Sequence, residues 1–229
     1  SFLCSVLRSR FSKNSFNFAK NNFFCYNRSD GDTIRLVYMQ GGINMERRYP
    51  FSWELLGGLN EGRPTLGRYA RLEAYRLMQY TMRDVLEERL GTQQTEGLFY
   101  QAGQLAGKEF YQHMIGETHE GQWLLRRLQQ VLREMGLGLL RLEEASPDNS
   151  RFVFVLKEDL DCSGTPTKGY SSCYFDAGVF SGVLEAFFKQ PYDVVEIECW
   201  SRGDERCRFE AKVGQGLGQA FCDSSLVHG

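Results

Sequence analysis

A chain of 229 residues with 42% hydrophobic and 14% aromatic side chains carries enough apolar surface for one well-buried core, which excludes a disordered protein for most of its length. Its 27 Lys and Arg stand against 29 Asp and Glu, so no positive excess is available to track a phosphate backbone, and nucleic-acid binding is not expected. Apolar runs such as Phe152 to Leu156 fall far short of the ~20 residues that cross a bilayer, so no membrane span and a cytoplasmic location are expected.

Residues 1–44 are rich in Asn, Ser, Phe and Arg, show no helical or alternating period, and lack the unbroken apolar stretch of a signal peptide. At Met45 the texture changes to Glu46-Arg47-Arg48-Tyr49-Pro50, and the preceding Gly41-Gly42-Ile43-Asn44 could be encoded by a purine-rich ribosome-binding sequence. Residues 1–44 are therefore expected to be a non-native segment before a natural start at Met45, or else a disordered arm. Residues 45–66, with Trp53, Leu55 and Leu56 among Gly and Pro, read as an extended arm that docks on its own domain or on a partner subunit. Residues 67–213 read as a single domain and 214–229 as a tail without pattern.

Within that domain three helices come first. From Tyr69 to Leu90 the residues Leu72, Tyr75, Met78, Met82, Val85 and Leu86 recur at helical spacing before Gly91, predicting an amphipathic helix. A second helix, from Glu96 to Ile115, carries Phe99, Gly103, Ala106, Gly107 and Phe110 on one face. Glycine inside a helix costs ~1 kcal/mol relative to alanine, so Gly103 and Gly107 point to a close approach by another backbone or by a ligand. The third helix has Leu124, Leu125, Leu128, Val131, Leu132 and Met135 at i, i+3, i+4 spacing before Gly136.

A hairpin follows, from Leu137–Leu142 and Phe152–Leu156 around a Ser146-Pro147-Asp148-Asn149 turn. Beyond a polar loop, a fourth helix over Ser172 to Lys189 again holds two glycines four apart, Gly178 and Gly182. The last hairpin pairs Val194–Trp200 with Arg206–Val213, the latter alternating Cys207, Phe209, Ala211 and Val213 inward with Arg206, Arg208, Glu210 and Lys212 outward.

Of the seven cysteines, Cys4, Cys25 and Cys222 fall in the tails, and Cys162 in the polar loop. If the last hairpin turns about Gly203, Cys199 and Cys207 face each other with Cβ atoms ~4.5–5.5 Å apart. Cys173 opens the fourth helix, whose N-terminus favours a thiolate. Glu196 lies three residues before Cys199 and points to the other face of a regular strand, so a bulge or strand end must bring its carboxylate round. Cys173, Glu196, Cys199 and Cys207 would then make a closed tetrahedral site suited to zinc. Ordinary buried cysteines or a Cys199–Cys207 disulfide are the alternatives that spacing alone leaves open.

The stretch from Gly121 to Val213 resembles the 4-vinyl reductase domain family, also called hydrocarbon-binding domains. The resemblance is carried by Cys173 with Gly178 and Gly182 behind it, Glu196-Ile197-Glu198-Cys199, Gly203-Asp204 and Cys207-Arg208-Phe209. It implies an α+β fold, with helices packed on one face of an antiparallel sheet as in trafficking-complex subunits, and a homodimer. In phenol-responsive activators with such a domain, zinc is held by a Cys and then Glu-x-x-Cys-x7-Cys; the matching residues are Cys173, Glu196, Cys199 and Cys207.

A stand-alone, zinc-stabilised sensor or binding domain for an apolar or aromatic small molecule is therefore expected, its pocket drawn from Phe99, Gly103, Gly107, Phe110, Trp123, Phe152, Phe154 and Tyr174. A structural or scaffolding subunit is the alternative. A vinyl-group reductase is disfavoured, because no dinucleotide fingerprint follows a strand, no phosphate loop is present, and the three histidines form no catalytic set.

Overall fold

The structure is a computed structural model and describes residues 47–118 and 120–214. The segment 1–44, His119 and the tail beyond Gly214 lie outside the described residues. The chain divides into two compact units, Ser1–Phe51 and Ser52–Gly229, and the elements of regular structure among the described residues all belong to the second.

Four strands form one antiparallel sheet: β1 (Leu139–Ala145), β2 (Arg151–Lys157), β3 (Tyr192–Glu198) and β4 (Cys207–Val213), in the order β1-β2-β4-β3. Alternation sets its two faces. Phe152, Phe154 and Leu156 of β2, Phe209 and Ala211 of β4, and Tyr192 and Val194 of β3 are buried together with helical side chains in one core. On the other face, the fully buried Val153 and Val155 lie beneath a lattice of ion pairs. Arg208 reaches Glu143, Glu144 and Glu198, and Arg151 bridges Glu144 and Glu210. Exposed pairs of this kind contribute little singly; their aliphatic stems cover the valines.

The helices are α1 (Leu59–Gly62), α2 (Leu72–Leu90), α3 (Thr92–Phe110, continued by a π turn over Tyr111–Ile115), α4 (Gly121–Glu134) and α5 (Tyr174–Phe188). The core-facing residues Leu124, Leu128, Val131 and Leu132 of α4, and Val179, Phe180, Val183 and Leu184 of α5, are buried with the sheet. The stretch expected to be an extended arm instead holds a 3-10 turn (Trp53–Leu56) and α1. Trp53 docks on its own domain, stacking on His113 with ring centroids 4.7 Å apart and meeting Phe110 edge-on at 6.5 Å.

Two sequence expectations need correction. The first concerns α2, whose apolar residues do not face the core. Met78 is 61% exposed, Met82 49% and Val85 51%, and the fully buried position is Gln79. The inward side is polar because it clamps the loop between β2 and α5. Tyr75 donates to Asp161 Oδ1 (2.7 Å), Arg76 to the carbonyls of Leu160 and Ser163, Tyr80 to the carbonyl of Asp161, and Arg83 to the carbonyl of Ser172.

The second concerns the helix glycines. A Cβ on Gly103 would overlap the Phe175 carbonyl oxygen, one on Gly107 that of Val179, one on Gly178 that of Tyr100, and one on Gly182 that of Gln104. The object that approaches these faces is a helix, α3 against α5, so closely that only hydrogen fits between the backbones. Gln104 Nε2 donates to Ser181 Oγ (3.0 Å), which in turn donates to the Tyr192 carbonyl (2.7 Å), tying the crossing to β3. Gly107→Ala is expected to lower stability by ~1–3 kcal/mol or more in urea unfolding. At Gly121, the start of α4, an added Cβ meets nothing, and Gly121→Ala is expected to leave stability unchanged or raise it by up to ~1 kcal/mol; equal losses at the two positions would mean that the crossing does not demand glycine.

Candidate metal centre and apolar cavities

Four cysteines converge at one end of α5. Cys173 is its N-cap residue, Cys207 begins β4 opposite Leu156 of β2, and Cys199 lies just past the end of β3, capping a 3-10 turn over Trp200–Arg202. Cys162 completes the group. It returns to the end of β2 because Asp159 Oδ1 accepts the backbone N–H groups of Asp161 (2.7 Å) and Cys162 (2.9 Å), folding the loop back on itself. All four thiols are buried and free, with sulfurs within 4.8 Å of one another; the alternative of a Cys199–Cys207 disulfide is not seen.

The spacing suits a tetrahedral ion. Bonds of ~2.3 Å to zinc imply tetrahedron edges of ~3.8 Å, and Cys173 Sγ lies 3.8 Å from both Cys199 Sγ and Cys207 Sγ, with Cys162 Sγ 3.1 Å from Cys207 Sγ. Hydrogen bonds from Cys162, Cys173 and Cys207 hold the Cys199 thiol far below the usual cysteine range, while those of Cys173 with Cys162, Cys199 and Cys207 push its own thiol well up. One thiolate shared among three thiols is a poor use of a buried pocket. A divalent cation that releases the remaining protons resolves it.

Of the four ligands expected from sequence, Cys173, Cys199 and Cys207 meet, and Cys162 takes the fourth corner that was assigned to Glu196. Glu196 is nonetheless adjacent. The register of β3 slips between Glu196 and Glu198, the bulge that its position required, and its Oε2 accepts the Cys173 backbone N–H at 3.3 Å. Burial, followed by the charge on Cys199, pushes its carboxyl up to about 9. The signal for Cys162 was present in Asp159-Leu160-Asp161-Cys162-Ser163-Gly164, a turn-forming run that directly follows the strand paired with Cys207.

The eight residues expected to line a pocket divide. Phe152 and Phe154 line a cavity of about 340 Å³ between α4, α5 and the sheet, with Leu125, Phe180, Val183 and Phe188 among its walls. Phe99 and Phe110 line a second, of about 450 Å³, under the apolar side of α2 with Met78 and Met82. Gly103 and Gly107 lie inside the α3–α5 crossing, and neither Trp123 nor Tyr174 lines either cavity.

The architecture, helices on one face of a four-stranded antiparallel sheet, is that of a trafficking protein particle complex subunit 3 from Naegleria fowleri, solved covalently bound to palmitic acid. That structure is 13% identical, with a TM-score of 0.51 over 63% of this chain and 96% of that one. Residues 152–213 match the 4-vinyl reductase domain family, so the chain carries a domain of the class that its cysteine and glycine motifs resemble. The phenol-responsive sensory domain of the transcription activator PoxR, solved with phenol, is 17% identical with a TM-score of 0.49, covering 70% of this chain and 83% of that one. Two uncharacterized proteins of Methanocaldococcus jannaschii are similar in sequence: MJ0150 is 26% identical over 53% of this chain and 67% of its own length, and MJ0745 is 32% identical over 47% of this chain. The match spans about half of MJ0745, 53% of its length.

Metal analysis separates the two candidates for the fourth corner. Glu196→Gln is expected to weaken metal affinity by the ~10–100-fold typical of a group that supports ligands without binding the ion, and Cys162→Ser by more. The reverse order would return Glu196 to the metal and leave Cys162 beside it.

Proposed function

We propose that the chain is a zinc-stabilised binding domain that takes up an apolar or aromatic small molecule between its helices and its sheet. The observation that carries this reading is the cavity of about 340 Å³ under α4 and α5, within the ~300–1,000 Å³ of small-molecule sites and walled by Leu, Phe and Val, with Gln122 and Asn149 as polar side chains at its margin. Aromatic walls and few polar groups select for hydrocarbon or aromatic character over charge. The four-thiol cluster supports zinc as the stabilising ion, since soft thiolates in a closed tetrahedron favour it over hard cations. The match to the 4-vinyl reductase family and the hydrocarbon-binding resemblance support the same assignment.

A second reading, an interaction subunit, is favoured by a separate observation. Met78, Met82 and Val85 on α2, with Leu98 and Leu105 on α3, leave large apolar side chains exposed along two successive helices. This face supports the homodimer that the family resemblance implies. Among the described residues no helix is long and apolar enough to cross a membrane.

Leu125→Trp should fill the cavity under α4. It is expected to lower the affinity for N-phenyl-1-naphthylamine, an uncharged fluorescent probe, by about tenfold or more without changing zinc content; equal binding by both proteins, or by neither, would remove the small-molecule reading. For the second reading, Met82→Lys is expected to convert a dimer to a monomer in sedimentation equilibrium with zinc retained, and a monomeric wild type would refute it.

A further inference from the structure

Beside the four thiols lies a second group of metal-binding character. Asp159 and Asp176 bring a carboxylate oxygen each to within 4.8 Å of Cys173 Sγ and of one another. Both residues are at least nine-tenths buried, at 1% and 8% exposure. Asp159 Oδ1 is committed to the N–H groups of Asp161 and Cys162, whereas Asp159 Oδ2 and Asp176 Oδ2 have no hydrogen-bond partner. Asp161 Oδ2 and Glu196 Oε1, buried nearby, are likewise unpartnered.

The charge balance points the same way. A divalent ion in four thiolates leaves a net charge of about −2, and Asp159, Asp161, Asp176 and Glu196 can add more. The arginines of α2 that reach this region, Arg76 and Arg83, spend their hydrogen bonds on the carbonyls of Leu160, Ser163 and Ser172. An uncompensated buried carboxylate is costly enough that a buried group is neutralised by a proton or by a cation.

We propose that Asp159, Asp176 and a bridging Cys173 thiolate hold a second divalent cation, making the centre binuclear. Two carboxylate oxygens and one thiolate form a mixed donor set. It suits a borderline ion of the zinc, cobalt(II) or iron(II) class, and the thiolate disfavours calcium and magnesium. Two carboxylates also balance the second ion's charge, which neither arginine does. The proposal rests on the four-thiolate reading of the first site.

Cobalt(II) titration of the full, reduced chain tests it, because thiolate-to-cobalt charge-transfer absorption reports the thiolate centre separately from total uptake. Wild type is expected to take two equivalents, the first bringing most of the charge-transfer intensity. Asp176→Asn is isosteric with a protonated acid; it is expected to lose the second equivalent and keep the first. Should that variant fail to fold, Asp159→Asn serves, since its amide oxygen can still accept the N–H groups of Asp161 and Cys162. One equivalent in wild type, with full thiolate absorption, would overturn the second site and leave the first standing. Two equivalents in both wild type and the asparagine variant would also overturn it, since the carboxylates would then do no more than share a proton. No uptake at all would remove the first site and this one with it.

Discussion

Burying ionisable groups is expensive, and the loop between β2 and α5 buries an unusual number of them in one place. Asp159, Asp161, Cys162, Cys173, Asp176, Cys199 and Cys207 are all inaccessible or nearly so. Burial pushes the Asp159 carboxyl up and that of Asp176 further up, the latter with added repulsion from Asp159 and Asp161, and burial with repulsion from Asp159 pushes Asp161 up to about 6. A segment with little regular structure gains few backbone hydrogen bonds of its own to offset such a cost. Its neighbours supply them. This explains why α2 turns Tyr75, Arg76, Gln79, Tyr80 and Arg83 inward and its methionines outward: the surface it covers is a polar knot, and a conventional apolar stripe would leave carbonyls such as Leu160, Ser163 and Ser172 without donors.

The second constraint is the contact between α3 and α5. Four glycines, two on each helix, remove every Cβ from the crossing, so the axes approach more closely than the ~8–10 Å of ordinary helix pairs allows for side chains. Such contacts gain dispersion energy and weak Cα–H···O bonds along their length. They also bring Tyr100 of α3 to the edge strand, where its hydroxyl accepts the Val194 N–H at 3.1 Å. The volume not taken up by side chains at this crossing does not become a ligand site. The apolar cavities lie on either side of it, one toward the sheet and one toward α2.

Much of this was legible in the chain. Periodicity located all the long helices and both hairpins, because 3.6- and 2-residue patterns are imposed by the faces that must be buried. The need for a bulge near Glu196 followed from strand alternation alone, and β3 shifts register there. What failed had physical reasons. The orientation of α2 was misjudged because periodicity reports an apolar stripe without saying whether the core or a partner covers it. Cys162 was set aside because it lies on no element, and its position is fixed by a side-chain turn at Asp159 that no period records. The glycine pairs announced a close approach but not its partner, since a helix and a ligand demand the same missing Cβ. Trp123 matched an aromatic composition and yet sits at the surface, 37% exposed.

One element ties the metal region to the cavity under α4. α5 starts at Cys173 and Asp176 beside the thiol cluster, and two turns later presents Phe180, Val183, Leu184 and Phe188 to the cavity. A helix of this length is rigid, and its glycine face is locked to α3, so it can neither slide nor rotate without driving backbone into backbone. The ion therefore does more than staple a loop. By fixing the N-terminus of α5 it sets the position of the aromatic wall at the other end, and the polar knot that is costly to build becomes the anchor from which the apolar cavity takes its shape.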